Sequence, residues 1–370
     1  MRPVRARDLG IVIGILPPGE HNAITDVPGV RVGHTTLISG DGPLVVGRGP
    51  IRTGVTVILP SEGDPGYEPL FAGSHTLNGN GEMTGLEWVR ESGMLTSPIA
   101  LTNTHSVGVV RDALVAASVR GRPASGLWSL PVVAETWDGY LNDVDGQHVR
   151  SEHVFAALES AAAGPVAEGN VGGGTGMKCF AFKAGIGTAS RRVPDAGGGY
   201  TVGVLVQANH GRRAHLAIDG VPVGREIPST EIPGPDVPAP DAGSIIAIVA
   251  TDAPLLPHQC RRLAQRSSLG VARGGGGGEH DSGDIFLAFA SGNRGLRPEE
   301  HEGAPRAFAL NMLNDDHLDS LYWATIEATE EAIVNALVAA ETMTGRDGIT
   351  FHALPHDRLV DVMRKYGRLG

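Results

Sequence analysis

Residues 233–251 read PGPDVPAPDAGSIIAIVAT. The first half is rich in proline and has almost nothing to bury, so it should run extended and exposed. At Gly243-Ser244 it passes without a turn into an apolar run rich in Ile and Val, the mark of a buried strand. The wider segment 228–243 holds five prolines and has the composition of a linker between domains. The residues after it argue against a fresh domain. From Ser244 onward there are two clear strands, 244–251 and 284–291, which is thin for an independent sheet. The segment therefore reads as an excursion inside one fold spanning 1–370.

Similar apolar runs occur earlier, at 54–60, 97–103, 178–189 and 200–209. Several are nearly continuous in apolar residues, as expected of strands covered on both faces. Helical patterns lie between them. Stretch 106–121 has an apolar stripe and a terminal Gly, and 151–164 also ends at a Gly. Stretch 251–270 opens on Thr251 and Asp252 as capping candidates, and 317–345 reads as a long amphipathic helix stopped by Gly345. Strands interleaved with helices predict a layered α/β fold.

Composition narrows the function. The net charge is −11, and the arginine pairs 191–192, 212–213 and 261–262 are scattered, so no basic surface for nucleic acid is expected. No segment reaches the roughly 18 apolar residues needed to span a bilayer, so no membrane partner is expected. The start, MRPVRARDLGIVIGILPPGE, has too short an apolar run and no small-residue cleavage site, which makes it a weak signal peptide. Cys179 and Cys260 are too few for a disulfide framework or a thiolate metal site and fit a reducing compartment. The cytoplasm is the expected location, with the periplasm open.

The usual motifs fail on inspection. NVGGGTGMKC (170–179) lacks the Gly-Lys-Ser/Thr end of a phosphate loop, because Met177 and Cys179 flank Lys178. RGGGGGEHDSGD (273–284) is followed by a strand, not by the helix a dinucleotide fingerprint requires. Both read as turns that let backbone pass close to a site. HALPH (352–356) has two histidines four apart, but no Glu at 353 and a Pro at 355. No metal and no cofactor are expected. There is no G-x-S-x-G elbow for a conventional serine hydrolase.

Ser244 offers different chemistry. A serine hydroxyl is a weak nucleophile without an adjacent base. Were the chain cut between Gly243 and Ser244, the new α-amine would be that base. Its reference pKa is roughly 7.7–8.0, so part of it is neutral near pH 8. Gly243 suits such a cut, having no side chain to crowd its carbonyl. On these features alone a plain loop-to-strand junction remains the better reading. Two further stretches give Ser244 partners. Ser282 and Asp284 stand two apart at a strand entry, and period-2 geometry points both to one face. A very apolar strand ends at Asn209, whose amide can donate to a developing oxyanion.

With these residues in place, the chain resembles a known family: the self-processing L-aminopeptidase/D-esterase and β-aminopeptidase group of N-terminal-nucleophile hydrolases. The matching stretches are NAITDVPGVRVGHTT (22–36), LNGNGEMTG (77–85), ETWDGYLND (135–143), GNVGGGTGM (169–177), GVLVQAN (203–209), GSIIAIVATDAPL (243–255) and SGDIFLAF (282–289). They cover nearly the whole chain in family order. The resemblance implies a four-layer αββα sandwich, related to that of the ornithine acetyltransferases. It implies self-cleavage into 1–243 (α chain) and 244–370 (β chain), in a homo-oligomer, often a tetramer. Ser244 matches the nucleophile, Ser282 and Asp284 its supporting pair, and Asn209 the oxyanion residue. Glu135 and Tyr140 match positions that face the substrate, Glu135 as a holder of its free amino group. Some members carry Glu where this chain has Asp284, which is one methylene shorter. The implied activity is release of N-terminal residues from short peptides, amides or esters. The runner-up is acetyl transfer; the transferases process before Thr, so Ser244 favours the peptidase branch.

Overall fold

The computed structural model describes residues 3–120, 128–235, 243–297 and 305–369. The first half of the chain holds β1 (Arg31–Ser39), β2 (Ile51–Leu59), β3 (Leu70–Gly79), α1 (Leu86–Ser92), β4 (Met94–Leu95), β5 (Ile99–Asn103), α2 (Val107–Val119), β6 (Val132–Thr136) and α3 (Ser151–Glu159). The second half holds β7 (Lys178–Cys179), β8 (Phe182–Lys183), β9 (Ile186–Arg192), β10 (Thr201–Asn209), α4 (Val223–Glu226), β11 (Ser244–Thr251), α5 (Pro257–Arg273), β12 (Gly283–Ala290), α6 (Leu318–Val338) and α7 (His356–Lys365).

Two sheets form. One has the order β1-β2-β5-β6, the other β4-β3-β12-β11-β10-β9. Period-2 alternation explains how they stack. Along β11, Ile246, Ile248 and Ala250 join a core shared with Ile58, Leu101 and Val132 of the first sheet. Ile245, Ala247 and Val249 point the other way, into a core built with α5 and α6. On the far side of the first sheet, Val55, Val57 and Ala100 pack on residues of α2 and α3. The layers are therefore α, β, β, α, as expected. The two strands after the linker are not peripheral: β11 and β12 lie between β10 and β3. Of the linker itself, 236–242 lie outside the described residues, as does Gly121, the expected end of the first helix.

Several local expectations change. The run 178–189 is not one strand. Phe180 and Ala181 take φ of 50° and 59° and turn the chain between β7 and β8, with Phe180 N–H anchored on His210 O at 2.8 Å; an apolar turn of this kind leaves no polar signal. The helix expected from 251 begins at Pro257 instead, because Thr251 Oγ1 donates to Thr201 O and Asp252 accepts from Thr201 N–H. A proline at the first helical position needs no N–H partner. The helix expected over 317–345 ends at Val338, and Met343–Thr344 pairs instead with Thr350–Phe351. Strands β1, β3, β4 and β6 had no distinct apolar run to announce them. The glycines of 170–177 do serve close approach: Gly172–Gly174 form a 3₁₀ turn whose N–H groups donate to Thr36 and Thr56, and a Cβ on Gly173 would overlap the Gln207 side chain.

α6 is also not amphipathic in the expected sense. It is buried almost all round, charged residues included. The charges are consumed internally. Arg191, fully buried on β9, contacts Glu327 at 3.1 Å and Glu331 at 2.6 Å. Arg7 adds a two-pronged contact to Glu331 at 2.8 and 2.9 Å. Burial raises the Glu331 pKa, but the charges of Arg191 and Arg7 outweigh it and hold the carboxyl below its ordinary value. Removing one partner of such a buried set strands the others in low dielectric. Arg191→Met is therefore predicted to cost about 3–5 kcal/mol of stability, read as a lower urea midpoint at pH 7.

Candidate active site

The site is built by strand register. β10 and β11 pair antiparallel with Asn209 opposite Ser244. β11 and β12 pair parallel with Ile245 opposite Asp284. Ser244 shares the parity of Ile246, and Asn209 that of Leu205, so both side chains face the other sheet. They open into a cavity of about 520 Å³ at the strand ends, which Gly243, Glu135, Trp137, Tyr140 and Lys178 also line.

Ser244 Oγ accepts a hydrogen bond from Gly283 N–H at 3.0 Å. Ser282 Oγ donates to Asp284 Oδ1 at 2.6 Å, and the same oxygen accepts from Ile245 N–H at 3.2 Å. The expected pair is thus assembled, one residue from Ser244 along the backbone. Among the described residues, neither Ser282 nor Asp284 hydrogen-bonds to Ser244 Oγ itself. Burial pushes the Asp284 carboxyl up to about 6; its two hydrogen bonds pull it back, and the Glu279 charge adds to the rise.

Asn209 is held at both ends of its amide. Its Oδ1 accepts from Lys178 N–H at 3.0 Å and its Nδ2 donates to Trp137 O at 3.0 Å. An amide has two N–H donors, so a second remains at the cavity. Glu135, at the end of β6, accepts from Glu82 N–H at 3.0 Å and from the Thr104 hydroxyl. Burial pushes its pKa up and the neighbouring Glu82 charge adds, against the pull of those hydrogen bonds and of His105. A carboxylate in this setting favours an arriving ammonium. Tyr140 stands edge-on to Trp137 and Phe351, with centroids 4.8 and 5.9 Å away, as part of an aromatic wall.

Sequence reasoning did not single out Lys178, Glu82, Thr104, Trp137 or Asp281, all of which line the cavity. Of the last four, Glu82, Trp137 and Asp281 lie inside the quoted stretches 77–85, 135–143 and 273–284, and Thr104 directly beside 97–103. Lys178 is 3% exposed, and a lysine set between Met177 and Cys179 just past a glycine-rich stretch was a usable hint. The two cysteines are buried and unpaired, and burial raises the Cys179 thiol to about 12 and Cys260 further, so neither is a nucleophile.

The model of peptidase family S58 matches residues 22–351. The chain belongs to that family. It is 50% identical to the β-peptidyl aminopeptidase BapA of Sphingosinicella microcystinivorans, over 99% of this chain and 93% of that one. Among solved structures, a β-aminopeptidase from a Burkholderia species is 55% identical with a TM-score of 0.90, covering 98% of this chain and 99% of that one. The L-aminopeptidase D-Ala-esterase/amidase of Ochrobactrum anthropi, described as a prototype serine aminopeptidase with a variant of the Ntn hydrolase fold, is 45% identical with a TM-score of 0.88 over 99% of both chains. The S58 chain is accordingly a serine aminopeptidase with the Ntn-type αββα fold, acting on peptides or amides. None of these matches supports the acetyltransferase alternative.

Gly243 shows why the junction is a glycine. Its φ is +73°, and a Cβ there would overlap the Asn209 carbonyl oxygen. A side chain would strain the backbone by about 1–3 kcal/mol or push Ser244 away from Asn209. Gly243→Ala is predicted to lower Tm by a few degrees, measured by differential scanning calorimetry.

Proposed function

We propose that the protein is a self-processing aminopeptidase whose nucleophile is Ser244 Oγ, released as a chain terminus by cleavage after Gly243. The observation that carries this is the register: the first residue of β11 faces the cavity, opposite Asn209 and beside the Ser282–Asp284 pair. Ser244 Oγ attacks the Gly243 carbonyl, the Gly243–Ser244 C–N bond breaks, and an ester forms. Water then cleaves the ester, leaving chains 1–243 and 244–370. Ionised Asp284, through Ser282, orients the group that moves the proton.

In turnover the Ser244 α-amine takes the hydroxyl proton as Oγ attacks the substrate carbonyl. The Asn209 amide donates to the oxyanion. Glu135 holds the substrate ammonium, with the Trp137–Tyr140 wall beside it. An acyl-enzyme forms and water releases it. The substrates are short peptides, amides or esters with a free N-terminus. The names of the two relatives at 50% and 55% identity favour β-residues there. The cleaved protomers assemble as a homo-oligomer, a tetramer on the family pattern; exposed Ile15, Val12 and Trp323, grouped around one surface cavity, support association. No helix among the described residues is long and apolar enough to cross a membrane. The unpaired cysteines are consistent with the cytoplasm.

Denaturing mass spectrometry tests the cleavage. Wild type should give fragments 1–243 and 244–370, and Ser244→Ala one folded, inactive chain. Wild type that stays whole after long incubation at neutral pH, or peptidase activity in Ser244→Ala, would refute the assignment. The Asp284 carboxyl sets a pH limb. It is protonated below about 6 and ionised above it, so self-cleavage should slow as pH falls through about 6 and level off above. Asp284→Asn should be slow at all pH values and lack that limb, in a pH series of fragment yield.

A further inference from the structure

We infer that Lys183, deep in the core, is a positioning residue for the oxyanion donor: through the Met177–Lys178 peptide group it fixes how the Asn209 amide faces the cavity. This inference rests on the oxyanion role proposed above for Asn209.

Asn209 ends β10, and the second torsion of an Asn side chain is soft. Its aim must come from what holds it. Oδ1 accepts from the Lys178 backbone N–H and Nδ2 donates to Trp137 O, both at 3.0 Å. A carboxamide is planar, so these two bonds also set the direction of the second Nδ2 hydrogen. The Lys178 N–H and the Met177 carbonyl belong to one planar peptide unit. Lys183 Nζ donates to that carbonyl at 2.8 Å and to Ala184 O at 2.6 Å. Ala184 N–H adds a longer contact to the Met177 oxygen at 3.2 Å. The turn at Phe180 and Ala181 brings these groups together, because it folds β8 back on β7 with Lys183 opposite Lys178. Pinning the carbonyl edge of the unit fixes where its N–H points. A donor on the carbonyl also polarises the N–H, since linked hydrogen bonds strengthen one another.

The other end of the amide is held in a similar way. Trp137 O belongs to the peptide unit shared with Asp138, which is buried. The Asp138 carbonyl accepts from the Leu141 and Asn142 N–H groups at 3.1 Å each, and its carboxylate accepts from Asn142 Nδ2 at 3.0 Å. Asn142 Oδ1 accepts in turn from Arg52 N–H at 2.9 Å, which ties the segment to β2. The two supports also feel each other: burial lowers the Lys183 pKa well below its ordinary value, and the Asp138 charge opposes the fall. A lysine nitrogen carries at least two hydrogens whether or not it is protonated, so it can donate to both carbonyls in either state. Lys183 is fully buried. A methionine would fill nearly the same space at a smaller desolvation cost, but would leave the Met177 carbonyl without that donor. On the proposed mechanism Asn209 serves the Gly243 carbonyl in self-cleavage and the substrate carbonyl in turnover. Loss of Lys183 should therefore slow both steps.

The test introduces Lys183→Met into the wild-type chain and into Asn209→Ala. Fragment formation is followed by denaturing mass spectrometry from the first minutes after purification, alongside thermal melts. On the cleaved fraction, kcat and KM are measured with an aminoacyl p-nitroanilide. Lys183→Met should slow self-cleavage and lower kcat roughly tenfold or more, as expected of a misplaced donor, with Tm not lowered. KM should stay within about twofold, the pattern of an interaction made in the transition state. In the Asn209→Ala chain the same substitution should change the cleavage rate by less than about twofold, because residues that act through one another are not additive. Should Lys183→Met fail to fold, Lys183→Leu carries the same comparison. Wild-type rates in a folded Lys183→Met, or an equal loss in both backgrounds, would overturn the inference and leave the Asn209 role standing. Wild-type rates in Asn209→Ala would overturn that role and this inference with it.

Discussion

β11 is hydrogen-bonded on both sides, antiparallel to β10 and parallel to β12, with Asn209 opposite Ser244 and Asp284 opposite Ile245. A slip of one residue would turn Ser244 toward α5 and α6 and away from the cavity, since side chains alternate between faces. Such a slip would also swap Ile246 and Ile248 between the inter-sheet core and the helix-side core. The residues that hold the register are thus ordinary Ile, Val and Ala side chains. Their burial on both faces fixes where the serine points, and the position of the site is a by-product of packing.

Electrostatics then does what register cannot. The cavity gathers Glu82, Glu135 and Asp281 with Lys178. Burial disfavours ionisation of both Glu135 and Asp284, so each gains from a positive partner. On the proposed mechanism the α-amine of Ser244 and the substrate ammonium are those partners, the first made by cleavage and the second brought by the substrate. On the same proposed mechanism, negative charge develops where the Asn209 amide lies, at the end of β10. The rest of the molecule shows the same pairing: Arg191 and Arg7 neutralise Glu327 and Glu331 on a helix that is buried almost all round.

Much of this was legible in the chain. The apolar run at 244–251 coincides with its strand, and the Gly-Ser junction stood out because a proline-rich stretch ended there. Period 2 placed Ser282 beside Asp284, as the 2.6 Å hydrogen bond now shows. What escaped was of two kinds. Strands such as β1 and β6 lie at the edges of their sheet and mix polar with apolar residues, so no run announces them. Lys178 and Glu82 come from loops and short strands whose place depends on tertiary contacts, such as the turn at Phe180–Ala181 and the pairing of Met83 with Ala134. Polar residues on α6 were read as a solvent face because a sequence does not show the arginines that meet them.

The central claim is that Ser244, as a chain terminus, forms the acyl-enzyme. Rapid quenching of wild-type protein with a slowly hydrolysed aminoacyl ester, followed by peptide mapping, addresses it directly. The acyl mass should sit on the peptide that begins with Ser244, on cleaved protein alone. Acyl mass on any other residue, or on chains still joined at Gly243–Ser244, would contradict it.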